Sequence, residues 1–158
     1  MKKSKLWGVC LLIVVLGVTG FLYWPRPMEK LISWDKPVQV IPITMGTSED
    51  MLPTTGTRSF VLEPGSDEHQ ALQALFATFR WHKGFDTLFQ DGTRGFKGKT
   101  VIQFQEIGQE GALLEAAEGT SLISINGKAA KIGYFGAGDA QKLVSGVLDI
   151  LTPLTPKE

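Results

Sequence analysis

The chain has 158 residues, with 43% apolar and 20% charged side chains and a formal net charge of zero. That balance fits one compact domain and excludes a disordered chain. Lys2, Lys3 and Lys5 precede the first apolar run, so the remainder holds thirteen basic against sixteen acidic residues, which excludes a dedicated nucleic-acid binder. The single cysteine, Cys10, lies inside the apolar run and leaves the rest of the chain without a disulfide.

Leu6 to Trp24 reads LWGVCLLIVVLGVTGFLYW without a charge, a stretch that as a helix would approach the ~30 Å of a bilayer core. The lysines before it outnumber Arg26 and Lys30 after it. The sequence reading is therefore a single-pass plasma-membrane anchor over 6–24, with residues 1–5 cytoplasmic and the domain outside. A cleaved signal peptide is the alternative, because Val18-Thr19-Gly20 loosely matches a small-residue cleavage site. Phe21, Leu22, Tyr23 and Trp24 continue the run past that point. Cys10 does not suit lipidation, since most of the apolar run follows it.

Pro25-Arg26-Pro27 opens an expected linker over 25–36. Pro37 to Thr44 and Thr57 to Leu62 are β-rich, the first placed at a sheet edge by Pro42. Ser66 is an N-cap ahead of Asp67 and Glu68, and Leu72, Leu75, Phe76 and Phe79 recur at helical spacing. The expected helix carries Arg80 and Lys83 in its last turn and closes at Gly84. Residues 84–98 then read as a long loop with Phe85, Leu88, Phe89 and Phe96 in it.

Thr100 to Ile107 and Ala112 to Ala117 read as strands. Asn126-Gly127 is the preferred pair for a two-residue hairpin, and it sets Ile125 against Lys128, Ile123 against Ala130, Ser121 against Ile132 and Gly119 against Tyr134. One face then gathers Ile123, Ile125, Ala130, Ile132 and Tyr134. Asp139 is the expected cap of a last helix with Leu143, Val144, Val147, Leu148 and Leu151 on one stripe, ended by Thr152-Pro153, with a loose tail over 153–158. The expected architecture is an α+β domain over 37–152, a meander sheet packed by two helices behind the N-terminal transmembrane helix.

No motif names a reaction. Leu52-Pro53-Thr54-Thr55-Gly56 matches a cell-wall sorting pattern but lies about a hundred residues from the C-terminus, where a turn is the better reading. Residues 93–100 end like a phosphate-binding loop but lead into a strand instead of a helix, so they lack the amides such a loop aims at phosphate. His69 and His82 lie thirteen positions apart, are turned away from each other on one expected helix, and are read as exposed. No cofactor or metal is implied.

The remaining candidate is basic and aromatic. Arg80, Trp81, Lys83, Arg94, Lys97 and Lys99 cluster in sequence with Phe85, Phe89 and Phe96, a combination suited to an anionic envelope component or an acidic protein partner. The alternative is that the aromatics tuck the loop onto the core while the cations are solvated. The N-terminal apolar segment, the FRWHKG helix end, the SLISINGKAAKIGYFG hairpin and the AQKLVSGVLDIL helix together resemble small uncharacterised exported or membrane-anchored α+β domains of Gram-positive bacteria. That resemblance implies fold and location and supplies no site residue. The functional expectation is a membrane-anchored, extracytoplasmic binding or sensing module without catalysis, and the alternative is a small cell-envelope hydrolase or the accessory subunit of one.

Overall fold

In the computed structural model the described residues are 2–47, 58–93, 95–108 and 111–154, with no side chains described for 2–6. The fold is α+β. Three helices, α1 (Lys2–Tyr23), α2 (Asp67–Ala77) and α3 (Gly138–Leu151), accompany eight strands: β1 (Arg26–Pro27), β2 (Val38–Thr44), β3 (Phe60–Leu62), β4 (Arg80–His82), β5 (Thr100–Glu106), β6 (Leu114–Ala117), β7 (Leu122–Ile125) and β8 (Lys128–Ile132). The strands form one sheet in the order β1-β4-β8-β7-β6-β5-β2-β3, and every pairing is antiparallel.

The centre of the sheet is the expected meander, β5 to β8. Its hairpin closes on Asn126 at φ 49° and Gly127 at φ 75°, so both turn residues take the left-handed conformation that a two-residue turn requires. The register follows, with Ile125 opposite Lys128, Ser124 opposite Ala129, Ile123 opposite Ala130 and Leu122 opposite Lys131. Ile123, Ala130 and Ile132 thereby share a buried face with Leu114, Ala116, Ile102 and Phe104, and Leu72, Phe76, Leu143, Val144 and Val147 of α2 and α3 close over it.

Several expectations are corrected. Tyr134 does not join the core, because β8 ends at Ile132, the Gly133 N–H bonds to the Arg80 carbonyl, and the Tyr134 side chain stands half exposed. The helix from Ser66 stops at Ala77, where Thr78 bonds back to the Leu75 and Phe76 carbonyls. Arg80 to His82 become β4 instead, and they cover the edge that β8 would otherwise expose. Arg80 and Lys83 are thus not in a last helical turn. Asp139 sits inside the first turn of α3 and Ala137 takes the cap position, without a side-chain bond. Pro42 lies where β2 pairs with β5 alone, beyond the Val38–Val40 stretch that also pairs with β3, so β2 is an edge strand over part of its length only. Residues 25–36 fold onto the domain, with Met28 fully buried and Ile32 nearly so. The Glu106 carboxylate accepts from the Ser33 N–H and meets Lys36 at 3.5 Å, which pins this stretch to the end of β5. The Leu52 to Gly56 pattern falls outside the described residues.

The membrane assignment is also corrected. Among the described residues no helix is long and apolar enough to cross a membrane. The helix concerned is α1, Lys2–Tyr23. Its last turn also belongs to the domain: Leu22 is buried, its carbonyl accepts from the Lys83 N–H, and the Tyr23 carbonyl accepts from the Tyr134 hydroxyl. A single-pass anchor over 6–24 is therefore not supported, and the orientation inferred from it falls with it.

The register makes a stability prediction. Ile123→Ala removes a fully buried side chain between the sheet and the helices and should cost about 2–5 kcal/mol in denaturant melts. Lys131→Ala, on the opposite face, removes a partly exposed ion pair with Asp86 and should cost about 1 kcal/mol or less. Equal losses would contradict the register.

Candidate functional site

With α2 and α3 on one face, chemistry is left to the rear face of the sheet, where the alternate residues His82, Lys131, Leu122, Ser124, Glu115, Gln103 and Gln105 point. The segment 83–99 lies across part of that face. It first pairs with the edge of β8 at Asp91 and Lys128, through the Gly92 N–H to the Gly127 carbonyl and the Ala129 N–H to the Gln90 carbonyl, and then crosses the face, with Phe96 buried against Val101 and Ala117. Gly92 packs so closely on Ser124 that a side chain there would meet the serine Cβ at 2.6 Å. Glycine is required at this crossing.

The expected contact residues do not form one cluster. Trp81 and Lys83 come together with Lys128, which the sequence reading did not single out, around two adjoining clefts of about 210 and 230 Å3. Lys83, Lys128 and Ala129 line both clefts, and Leu88, half exposed, lines the second. Phe85 is 50% exposed and Phe89 96% exposed, so of the three loop phenylalanines Phe96 alone holds the loop to the sheet. Arg80 turns its guanidinium back onto the Ala77 and Phe79 carbonyls. Lys99 donates to the Gly119 carbonyl at the far end of the loop, beside exposed Lys97. Arg94 lies outside the described residues.

Both histidines are buried, contrary to expectation, and they occupy separate places. His69, on the inner face of α2, packs edge-on to Trp34, and its Nε2 has no hydrogen-bond partner. His82, on β4, lies parallel to the Tyr134 ring with centroids 4.3 Å apart, and Tyr23 stacks nearby at 5.6 Å. Its Nδ1 also lacks a partner. The Asp86 carboxylate is held by Lys131 instead, and that hydrogen bond keeps it below the usual carboxylate range. Burial first, and then the Lys131 charge, hold His82 below its ordinary imidazole value against the opposing pull of Asp86.

Two further features escaped the sequence reading. Gln103, Glu115 and Ser124 lie directly opposite one another on β5, β6 and β7. They make a polar row across the rear face, with Glu115 and Ser124 buried and the Gln103 amide donating to the Glu115 carboxylate at 2.7 Å. Alternation of apolar and polar residues in VIQFQE was the available signal for such a face. Beside this row opens a cleft of about 570 Å3 lined by Gln103, Gln105, Glu115 and Asn126.

Comparison with protein-family models, with curated proteins and with solved structures finds no match.

The His82 environment carries a pH prediction. A depressed folded value means that below about pH 6.5 the unfolded chain takes up a proton that the folded chain does not, so stability falls on acidification. Asp86 and Glu106, whose values are also lowered, lose their contribution only at more acid pH. Thermal melts between about pH 7.5 and 5 should show wild type losing more than His82→Phe, which keeps a ring for Tyr134 and cannot titrate. Parallel curves would show that His82 is not held neutral.

Proposed function

We propose that the chain is a non-enzymatic binding module that holds an acidic protein partner on the surface formed by Trp81, Lys83, Phe85, Leu88, Phe89 and Lys128. The observation that carries this reading is Phe89, 96% exposed between Leu88 and Gln90, which line a cleft together with Lys83 and Lys128. A large aromatic left almost wholly in water forgoes about 2–3 kcal/mol of burial, which a partner's apolar pocket would recover. The lysines at the clefts favour a partner whose rim is anionic, and charge complementarity of this kind steers association and excludes wrong partners. A rigid sheet beneath the surface limits the ordering cost of binding.

The hydrolase alternative receives less support. A nucleophile-activating histidine needs one nitrogen on the nucleophile and the other on an orienting group, whereas His82 and His69 each keep a buried nitrogen without a partner.

A photo-cross-linking residue at position 89 of the full chain tests the proposal in the cell of origin. The expected outcome is a discrete cross-linked protein, lost on Lys83→Gln with Lys128→Gln and weakened as salt rises, because exposed-charge attraction is screened over ~8 Å at physiological ionic strength. Adducts unaffected by both changes, or none, would refute the surface.

A further inference from the structure

We infer that the 570 Å3 cleft on the rear face, outside the part crossed by 83–99, is a binding site for a small polyhydroxylated ligand carrying a protonated amine, with Glu115 as its counter-charge. This surface is separate from the one proposed above and does not depend on it.

Glu115 is 7% exposed within β6, among Leu114, Ala116 and Ala117. A carboxylate so placed normally has a cation beside it, because burial penalises an unpaired charge heavily. Yet the ion pairs among the described residues are Lys36 with Glu106 and Lys131 with Asp86, and Glu115 belongs to neither. Its one described bond is the neutral amide of Gln103. The neighbouring Ser124 Oγ, opposite Glu115 in register and buried under Gly92, has no partner at all. Unused polar capacity has thus collected at one point of the sheet.

The cleft opens on the Glu115 side of this point and not on Ser124, which is absent from its described lining. Glu115 and Gln103 line it together with Gln105, Asn126 and the backbone of Gly111, Ala112 and Gly127. The described lining residues include no aromatic side chain, so the recognition they offer is polar. What the lining offers is one carboxylate and three side-chain amides, each amide able to donate and to accept. Such a set matches an ammonium group flanked by hydroxyls: the ammonium satisfies Glu115 and the hydroxyls exchange hydrogen bonds with Gln103, Gln105 and Asn126. Anionic ligands are disfavoured by the same carboxylate. Inorganic cations that need several carboxylate oxygens are disfavoured because Glu115 is the single carboxylate among the described lining residues.

The experiment is a titration of the 15N-labelled full chain with glucosamine, followed through the side-chain NH2 resonances of Gln103, Gln105 and Asn126. These should move saturably and together. Glu115→Gln, which keeps shape and can still accept from Gln103, should weaken glucosamine at least about tenfold, and N-acetylglucosamine, the same ring without the charge, should bind wild type at least about tenfold more weakly than glucosamine. No saturable shift, equal binding by Glu115→Gln, or equal binding of N-acetylglucosamine would each overturn the inference. Should Glu115→Gln fail to fold, Gln105→Glu places a second carboxylate in the cleft and should tighten glucosamine binding; an unchanged or weaker affinity would overturn the inference equally.

Discussion

The Asn126-Gly127 turn decides which way every side chain in the sheet faces. With both residues at positive φ the hairpin can close in two residues, and Ile125 is then fixed opposite Lys128. A slip of one residue would turn Ile123 and Ile132 into water and bring Ser124 and Lys131 under the helices. Because β6 pairs with β7 and β5 with β6, the same parity passes to Leu114, Ala116, Ile102 and Phe104 on the helix side and to Glu115 and Gln103 on the other. β4 inherits it through β8, which is why Trp81 packs against the core while His82 faces Lys131.

An eight-stranded sheet with helices on one face must do something with its other face. Here segment 83–99 covers part of it, held by Phe96, by the Gly92 crossing and by two backbone bonds to the β7–β8 hairpin. The two surfaces that remain are unlike. One is built on the covering segment itself and is apolar and basic, with Phe89 and the cleft of Leu88, Lys83 and Lys128, while the adjoining cleft of Trp81, Ile125 and Ala130 belongs to the helix side. The other is the sheet beside Glu115, over which no described residue of the covering segment lies, and it is polar and acidic. At the far end of the sheet the last turn of α1 is locked in by Leu22, Tyr23 and the His82–Tyr134 stack, and Arg26 reaches over both Phe21 and Trp81. The first helix is thus coupled to β4.

Local chemistry made the meander, its hairpin register and both domain helices legible in the sequence, because period-2 and period-3.6 patterns and an Asn-Gly pair act over a few residues. What the sequence hid was decided by long-range pairing. FRWH looks like the end of a helix until β8 needs a neighbour, and two histidines that seemed exposed are buried by contacts with Trp34 and Tyr134. The basic and aromatic residues of the 80–99 region were visible as a composition, but their division among two clefts, a helix end and a loop base depends on how the segment crosses the sheet. Glu115 and Lys128 went unremarked because one polar residue in a short strand or at a turn carries no periodic signal. The apolar run at the N-terminus was read by composition alone, and the docking of its last turn through Leu22 and Tyr23 depends on residues over sixty positions away.

That 83–99 lies on the rear face is tested most directly by amide hydrogen exchange of the full chain. The Gly92 and Ala129 amides, bonded to the Gly127 and Gln90 carbonyls, should be protected along with the central amides of β5 to β8, and Gly92→Ala should expose both while the strands stay protected. Rapid exchange at both positions in the wild-type chain, beside slow exchange in the strands, would contradict this arrangement of the rear face.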